Sequence, residues 1–355
     1  MAERSGIKAA RPTITVAGQD NASLAEGLLS LLIVESLQGL YRCEALVGNW
    51  GPTDSGVGFL YFDRCLLDFG KSLQIKLGSA VIFDGRITGL EANFPEGRAA
   101  ELNVLAEDRF QDLRMARRTR TFTDVSDADV TNRLAGDHGL RADVSVSGPT
   151  HKVLAQINQS DLAFLRERAR TIDAELWMEG DTLRAQSHAS RNGRTLEMTL
   201  GQELREFSVL SDLAGQRSSV TVSGWNVAAK SPLQYEATDS IISGELNGDA
   251  SGASLLSAAF GQRKEAIAHT GPFTSQEAQA SAEAFFKTAA RRFVTGHGLA
   301  EADGRLRVGS YVKLQGLGPL FSGKYYVSEV RHLFDGARGI RTEFTAERPG
   351  LGQSQ

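Results

Sequence analysis

Residues 71–90 read KSLQIKLGSAVIFDGRITGL, and their periodicity decides the fold class. Leu73, Ile75 and Leu77 alternate with Ser72, Gln74 and Lys76, which sets one face on a core and the other in water. Gly78-Ser79 is a turn signal, and residues 81–87 read as the next strand. Upstream, Tyr41, Cys43, Ala45 and Val47 alternate with Arg42, Glu44 and Leu46 in the same way. Residues 14–16 and 102–106 are further candidates, and 49–51 and 95–97 supply turns. Several short strands at this spacing predict a small barrel or sandwich.

The middle of the chain is mixed. Ser126-x-x-Asp129 is a capping box followed by Val130 and Leu134 at helical spacing, with Gly136 and Gly139 as stops. Ser160 or Asp161 caps a second helix carrying Leu162, Leu165, Ala169 and Ile172. A strand pair over 174–178 and 182–186 turns at 179–181, and strand-like sequence resumes over 206–225. Residues 243–257, SGELNGDASGASLLS, read as a loop. Thr274-x-x-Glu277 opens the strongest helix, with Ala278, Ala282, Phe285, Ala289 and Phe293 on its apolar face. Lys287, Arg291 and Arg292 suit its dipole, and Gly296 and Gly298 stop it. Strands then return at Leu306, Val308, Val312 and Leu314, at 325–334, and at Ile340, Thr342, Phe344 and Ala346. The chain thus begins and ends in β modules, without a residue-level repeat between them.

The chain has 355 residues, enough for two or three domains. Its 41% hydrophobic content and net charge of −4 exclude intrinsic disorder and make overall gripping of nucleic acid a poor fit. Cys43 and Cys65 are the only cysteines, which excludes a disulfide scaffold and a cysteine-based metal site. No window reads as a signal peptide or a membrane span. Synthesis in the cytoplasm without signal-peptide export is the expectation.

Chemical motifs are weak. Residues 65–72, CLLDFGKS, end like a phosphate loop but have cysteine where glycine is needed and lead into a strand. His138, His151, His188, His269, His297 and His332 form no zinc-hydrolase spacing, and His332 reads as a packed or surface histidine. Asp124, Asp127 and Asp129 fail the calcium-loop pattern and read as groups that cap a helix and complement its dipole. No G-x-S-x-G elbow occurs. The arginines 109, 114, 117, 118 and 120 read as a solvated face, and Trp50, Trp177 and Trp225 as core anchors. The residues alone predict a β-rich structural or interaction protein, not an enzyme, with no metal or cofactor.

Three motifs in order resemble a known family. Phe83, Gly85 and Ile87 resemble its F-x-G-x-V/I strand. Arg120, Phe122, Asp124, Ser126 and Asp129 resemble its R-x-F-x-D-x-S-x-x-D helix entry. Gln156, Ser160, Asp161, Phe164 and Leu165 resemble Q-x-x-E-S-D-x-x-F-L, with Gln159 in place of the usual Glu. The family is the phage late control protein D group, which includes the hub portion of VgrG spike proteins. The resemblance spans residues 10–350.

It implies an α+β, β-rich fold with two related small β-barrel modules and an α/β insertion between them. The first barrel module would span 1–115, the insertion 116–200, the second barrel module 201–350 with its helix near 275–294, and a tail 351–355. It also implies a homotrimer acting as structural baseplate hub of a phage tail, a type VI secretion-like machine or an extracellular contractile injection system. Such a hub joins a six-fold inner tube to a three-fold spike, with other baseplate components around it. Neither nucleic acid nor a membrane span is implied as a partner. The sequence stops soon after its last strand, so the spike is expected to be a separate polypeptide. The alternatives are a tail-associated cell-wall glycan hydrolase, which needs two carboxylates across a cleft, and a receptor-binding β-module, which needs an exposed aromatic platform. Interface residues are not legible.

Overall fold

A computed structural model describes residues 11–191, 193–268 and 271–352. His269, residues 1–10 and residues 353–355 lie outside the described residues. The first β module contains β1 (Thr13–Val16), β2 (Gln19–Asp20), α1 (Ala22–Gly27), β3 (Leu28–Ser36), β4 (Arg42–Gly48), β5 (Gly51–Thr53), β6 (Gly56–Gly58), β7 (Ser72–Leu77), β8 (Ala80–Asn93) and β9 (Glu101–Glu107). Its core takes the inward-facing residues of each alternating strand, among them Ile33, Cys43, Ile75, Phe83 and Ile87. Residues 71–90 form the expected hairpin, β7 against β8, with Ile75 opposite Phe83.

The α/β insertion contains α2 (Phe110–Arg114), β10 (Arg117–Ser126), α3 (Asp127–Asp137), β11 (Arg141–Ser145), β12 (Thr150–Ser160), α4 (Asp161–Thr171), β13 (Ala174–Glu179) and β14 (Thr182–Ser187). β10 and β12 make an antiparallel ribbon. β14 lies between β11, parallel to it, and β13, antiparallel. Helices and strands share one core around Phe122, Leu134, Leu165 and Leu183.

The remainder contains β15 (Thr195–Thr199), β16 (Leu204–Ser211), β17 (Ser219–Asn226), β18 (Ser231–Thr238), β19 (Ala250–Ser251), α5 (Gly252–Phe260), β20 (Lys264–Ile267), α6 (Ser275–Arg291), β21 (Val294–Glu301), β22 (Tyr311–Gln315), α7 (Gly318–Phe321), β23 (Gly323–Asp335), β24 (Gly339–Arg348) and β25 (Gly350–Leu351). β16 and β21–β24 enclose a second β core around Tyr325, Val330 and Phe344. β17, β18 and β20 carry α6 on a fourth core around Val222, Ile242 and Phe286. The two β modules share one sheet because β23 pairs with β3 over residues 329–335 and 30–36. The fold class is therefore α+β and β-rich, with an α/β insertion between two β modules.

Several expectations need correction. Residues 243–257 are not one loop: Ser251 caps α5 by accepting from Ser254 N at 3.0 Å. Phe285 is exposed, and the buried stripe of α6 runs through Ala278, Ala282, Phe286 and Ala290. Gly296 and Gly298 do not stop that helix; they sit in β21, where an added Cβ would meet the Phe207 and Phe344 rings. Gly136 lies inside α3, which ends before Gly139. Leu306 and Val308 are buried in a loop ahead of β22. Trp50 and Trp225 are exposed. Of the three aspartates, Asp129 serves the cap and Asp127 stands in the first turn of α3, whereas Asp124 lies in β10, outside the helix.

Candidate functional site

The second and third motifs converge where β10 crosses β12. Gln156 donates to Asp161 Oδ1 at 2.8 Å, and Arg120 donates to the same oxygen at 2.6 Å and to Gln156 Oε1 at 2.8 Å. His138 Nε2 lies 2.8 Å from the other oxygen of Asp161. Burial opposes ionisation of Asp161, but the bonds from Gln156 and His138 and the nearby arginine charges hold its carboxyl below the usual range. Phe122 and Phe164 stack with centroids 5.8 Å apart, and Leu165 packs in the same core. Ser126 and Asp129 complete a reciprocal capping box, and Ser160 caps α4. These residues therefore form a structural knot. Asp124 stands outside it, at φ +52°, accepting from Lys152 at 2.6 Å. Phe83, Gly85 and Ile87 lie in the first β core instead. An added Cβ on Gly85 would sit 2.3 Å from the Glu107 carbonyl oxygen, which is why that strand needs glycine.

A second buried network was invisible in the sequence. Glu175 of β13 accepts from Arg191 at 2.8 Å and from the Tyr326 hydroxyl of β23 at 2.6 Å, with His188 Nδ1 at 2.6 Å. Burial disfavours its charge, but His188, Arg191 and Tyr326 overcome this and hold its pKa at about 2. Arg191 also donates to Val308 O at 2.7 Å. Arg291 of α6 grips Asp173 and Glu245. The insertion is thus tied to both later cores by buried charge. No local motif announces this, because the partners are up to 151 residues apart.

His151 joins the two α/β units. Its Nδ1 lies 2.6 Å from Glu277, the capping residue of α6, and its Nε2 3.2 Å from Asp127 of α3. Arg168 of α4 donates to Asp127 at 2.6 Å and approaches His151 Nε2 at 3.0 Å. Burial lowers the pKa of His151, but its bonds to Asp127 and Glu277 prevail and raise it.

A cavity of about 770 Å³ opens between α4, α6 and β17–β20, lined by Arg168, Arg217, Glu167, Asp212, Glu265 and Phe285. Among the described residues, no group of three or more His, Cys, Asp or Glu is placed to hold a metal ion, and no helix is long and apolar enough to cross a membrane. At the end of the first β module, Trp50, Phe59, Phe62 and Phe94 form an aromatic cluster with centroids 4.9–6.2 Å apart. Trp50 is 49% exposed and Phe94 67%.

A family model described as the Alg8 N-terminal domain matches residues 62–335. No curated protein matches the chain. Among solved structures, the chain is similar to the 43 kDa tail protein of prophage MuSo2 from Shewanella oneidensis. They share 11% identity and a TM-score of 0.71, over 96% of this chain and 98% of that one. A tail protein from Neisseria meningitidis shares 13% identity and a TM-score of 0.69, over 96% and 97%. Escherichia coli c3393, described as a component of the type VI secretion system structurally similar to T4 bacteriophage tail proteins gp27 and gp5, shares 14% identity and a TM-score of 0.56, over 92% and 76%. The chain has the fold of these tail proteins.

Proposed function

The chain belongs to the Alg8 N-terminal domain family, and from its fold and its motif order we propose that it is a structural hub in the baseplate of a contractile tail or injection machine. In this reading it resembles late control protein D and the hub portion of VgrG. Three copies form a ring that adapts a six-fold inner tube to a three-fold spike. The modules are 1–115, 116–200 and 201–350; the first motif serves the first β core and the other two serve the fold of the insertion. The observation that carries the reading is the end-to-end likeness to a tail protein, over 96% of this chain and 98% of that one. The buried charge networks support it too, since a load-transmitting adaptor needs its modules locked together. The test is a fluorescently tagged chain counted in assembled particles. Three tags at one end of each tube are expected. Tags scattered along the tube, or none in the particle, overturn the reading.

A second reading is glycan chemistry. The description of the matched family, a glycosyltransferase-related domain, favours it, as do Glu167, Asp212 and Glu265 at the cavity wall. Purified chain that neither clears cell walls in a turbidity assay nor consumes a nucleotide sugar rejects it.

A further inference from the structure

The sheet repeats itself where the sequence does not. In the first β module the strands run β3-β4-β9-β8, and in the second β16-β21-β24-β23, every neighbour antiparallel. The irregularities recur at corresponding places. The ladder slips between Leu28 and Ser30 of β3 and between Leu204 and Glu206 of β16. It slips again between Ile87 and Gly89 of β8 and between Val327 and Glu329 of β23. Beside the second slip, Gly70 N donates to Ile87 O at 2.8 Å and Ile87 N to Lys71 O at 2.9 Å. In the other module Gly309 N donates to Val327 O at 3.0 Å and Val327 N to Ser310 O at 2.9 Å. Bulges are specified features of a fold. β8 therefore corresponds to β23 and β16 to β3, with Ala92 in the place of His332 and Val209 in the place of Ile33.

Two edges lack the partner that this correspondence calls for. Past its bulge, β23 pairs with β3: Val330 lies opposite Glu35, His332 opposite Ile33 and Phe334 opposite Leu31. All six are at most 3% exposed. Among the described residues, β8 has no ladder partner beyond Arg86 on its β7 side, and β16 has none on the side away from β21. The corresponding Leu90, Phe207, Val209 and Ser211 are only half-buried, and Ala92 and Phe94 are exposed. Asp212 N donates to Phe293 O at 3.1 Å. The alternation of an antiparallel ladder then turns the N–H and C=O groups of Phe207, Val209 and Ser211 to the free edge. Such an edge is a template for a further strand. The two edges end one strand path, with seven steps of about 4.8 Å, about 34 Å, between them. We propose that β8 of one copy pairs with β16 of the next copy as β23 pairs with β3 within the chain. Leu90 then lies opposite Ser211, Ala92 opposite Val209 and Phe94 opposite Phe207, completing both cores. No like charges are opposed, since Gly89 meets Asp212, Glu91 meets Leu210 and Asn93 meets Ser208. A contact between two different edges is head-to-tail and closes into a ring when the rotation allows. Closure at three copies rests on the hub reading above; the pairing of these two edges does not.

The test uses the full chain carrying Cys65→Ser, since Cys65 is exposed and Cys43 is buried. Ala92→Cys with Val209→Cys sets two thiols at directly opposed positions, within reach of a disulfide. Under mild oxidation a non-reducing gel is expected to show chains joined to one another, in a series ending at three. Ala92→Cys with Ser208→Cys projects its thiols from opposite faces and is expected to stay unjoined. Proline is the second arm, because it removes the N–H that an edge offers and is tolerated on edge strands. Ala92→Pro and Val209→Pro are each expected to reduce the multimer to the single 38.3 kDa chain by light scattering. Their equimolar mixture is expected to give two-chain species and nothing larger, because one intact joint remains. Recovery on mixing also shows that both variants are folded. A wild-type multimer whose 92–209 pair stays unjoined, with proline variants of unchanged mass, overturns the pairing and leaves the hub standing. Joining through the 92–208 pair instead overturns the register. A joined series that runs past three chains keeps the pairing and overturns the three-copy hub. A wild type that is a single chain and stays unjoined removes hub and pairing together.

Discussion

Single residues decide how closely the strands approach. A methyl group on Gly85 would meet backbone rather than a mobile side-chain tip. Gly85→Ala is therefore expected to cost about 1–3 kcal/mol in urea unfolding. Gly136 is the contrasting case: it lies inside α3, and nothing stands within 4 Å of an added Cβ. Gly136→Ala should raise stability by about 0.5–1 kcal/mol. The sequence shows both glycines but not which one touches a neighbouring strand. His332 read as a packed or surface histidine, and it is fully buried with Nδ1 3.0 Å from the Thr342 hydroxyl. Burial, reinforced by Arg307, pushes its pKa down to about 3. Below the ordinary value of 6.5 the unfolded chain takes up a proton that the native state refuses. Stability therefore falls as pH drops from 6.5 towards 3. The loss between pH 7 and pH 4 should be smaller in His332→Gln.

At the scale of elements, local signals survived and distant ones did not. Both capping boxes stand where the spacing put them, because a cap is a contact across three residues. The alternating strands β4, β7 and β24 stand as read. β3, LLSLLIVES, escaped notice because its partly buried face also carries apolar residues, so the run is near-continuous and hides the alternation of its burial. The phase of α6 was misread because Phe285 and Phe286 both extend plausible stripes, and only the β17–β18 surface selects the second. The Arg120–Gln156–Asp161 knot was visible as two separate motifs, yet their meeting depends on the ribbon register. Arg120→Ala should cost about 3–5 kcal/mol by leaving the buried Asp161 carboxylate short of its partner, read as a drop in denaturation midpoint. His151 belongs to this scale too. Its raised pKa makes its bridge between α3 and α6 strongest below 6.5, and that stability is lost as pH rises through the folded pKa. Asp127 and Glu277 have lowered pKa values and work the other way, losing their contribution in acid. Exchange protection at the start of α6 should therefore peak at mildly acidic pH, and His151→Gln should flatten the alkaline side.

Over the whole molecule, the β-rich class and the order of β module, α/β insertion and β module were readable, because periodicity reports which face is buried. The sharing of one sheet through β3 and β23 was not, because residues 30–36 and 329–335 meet only in the fold. Nor was the Glu175 seam, which ties modules by groups that look like ordinary surface charge in the sequence. Its low pKa means that the Glu175 carboxylate contributes its full stability above about 4.5 and loses it only as pH falls towards 2. The central claim is a ring of three copies, and the absolute mass of the purified chain tests it most directly. The account predicts three 38.3 kDa chains, about 115 kDa, by light scattering behind a sizing column. A stable dimer of about 77 kDa would contradict it.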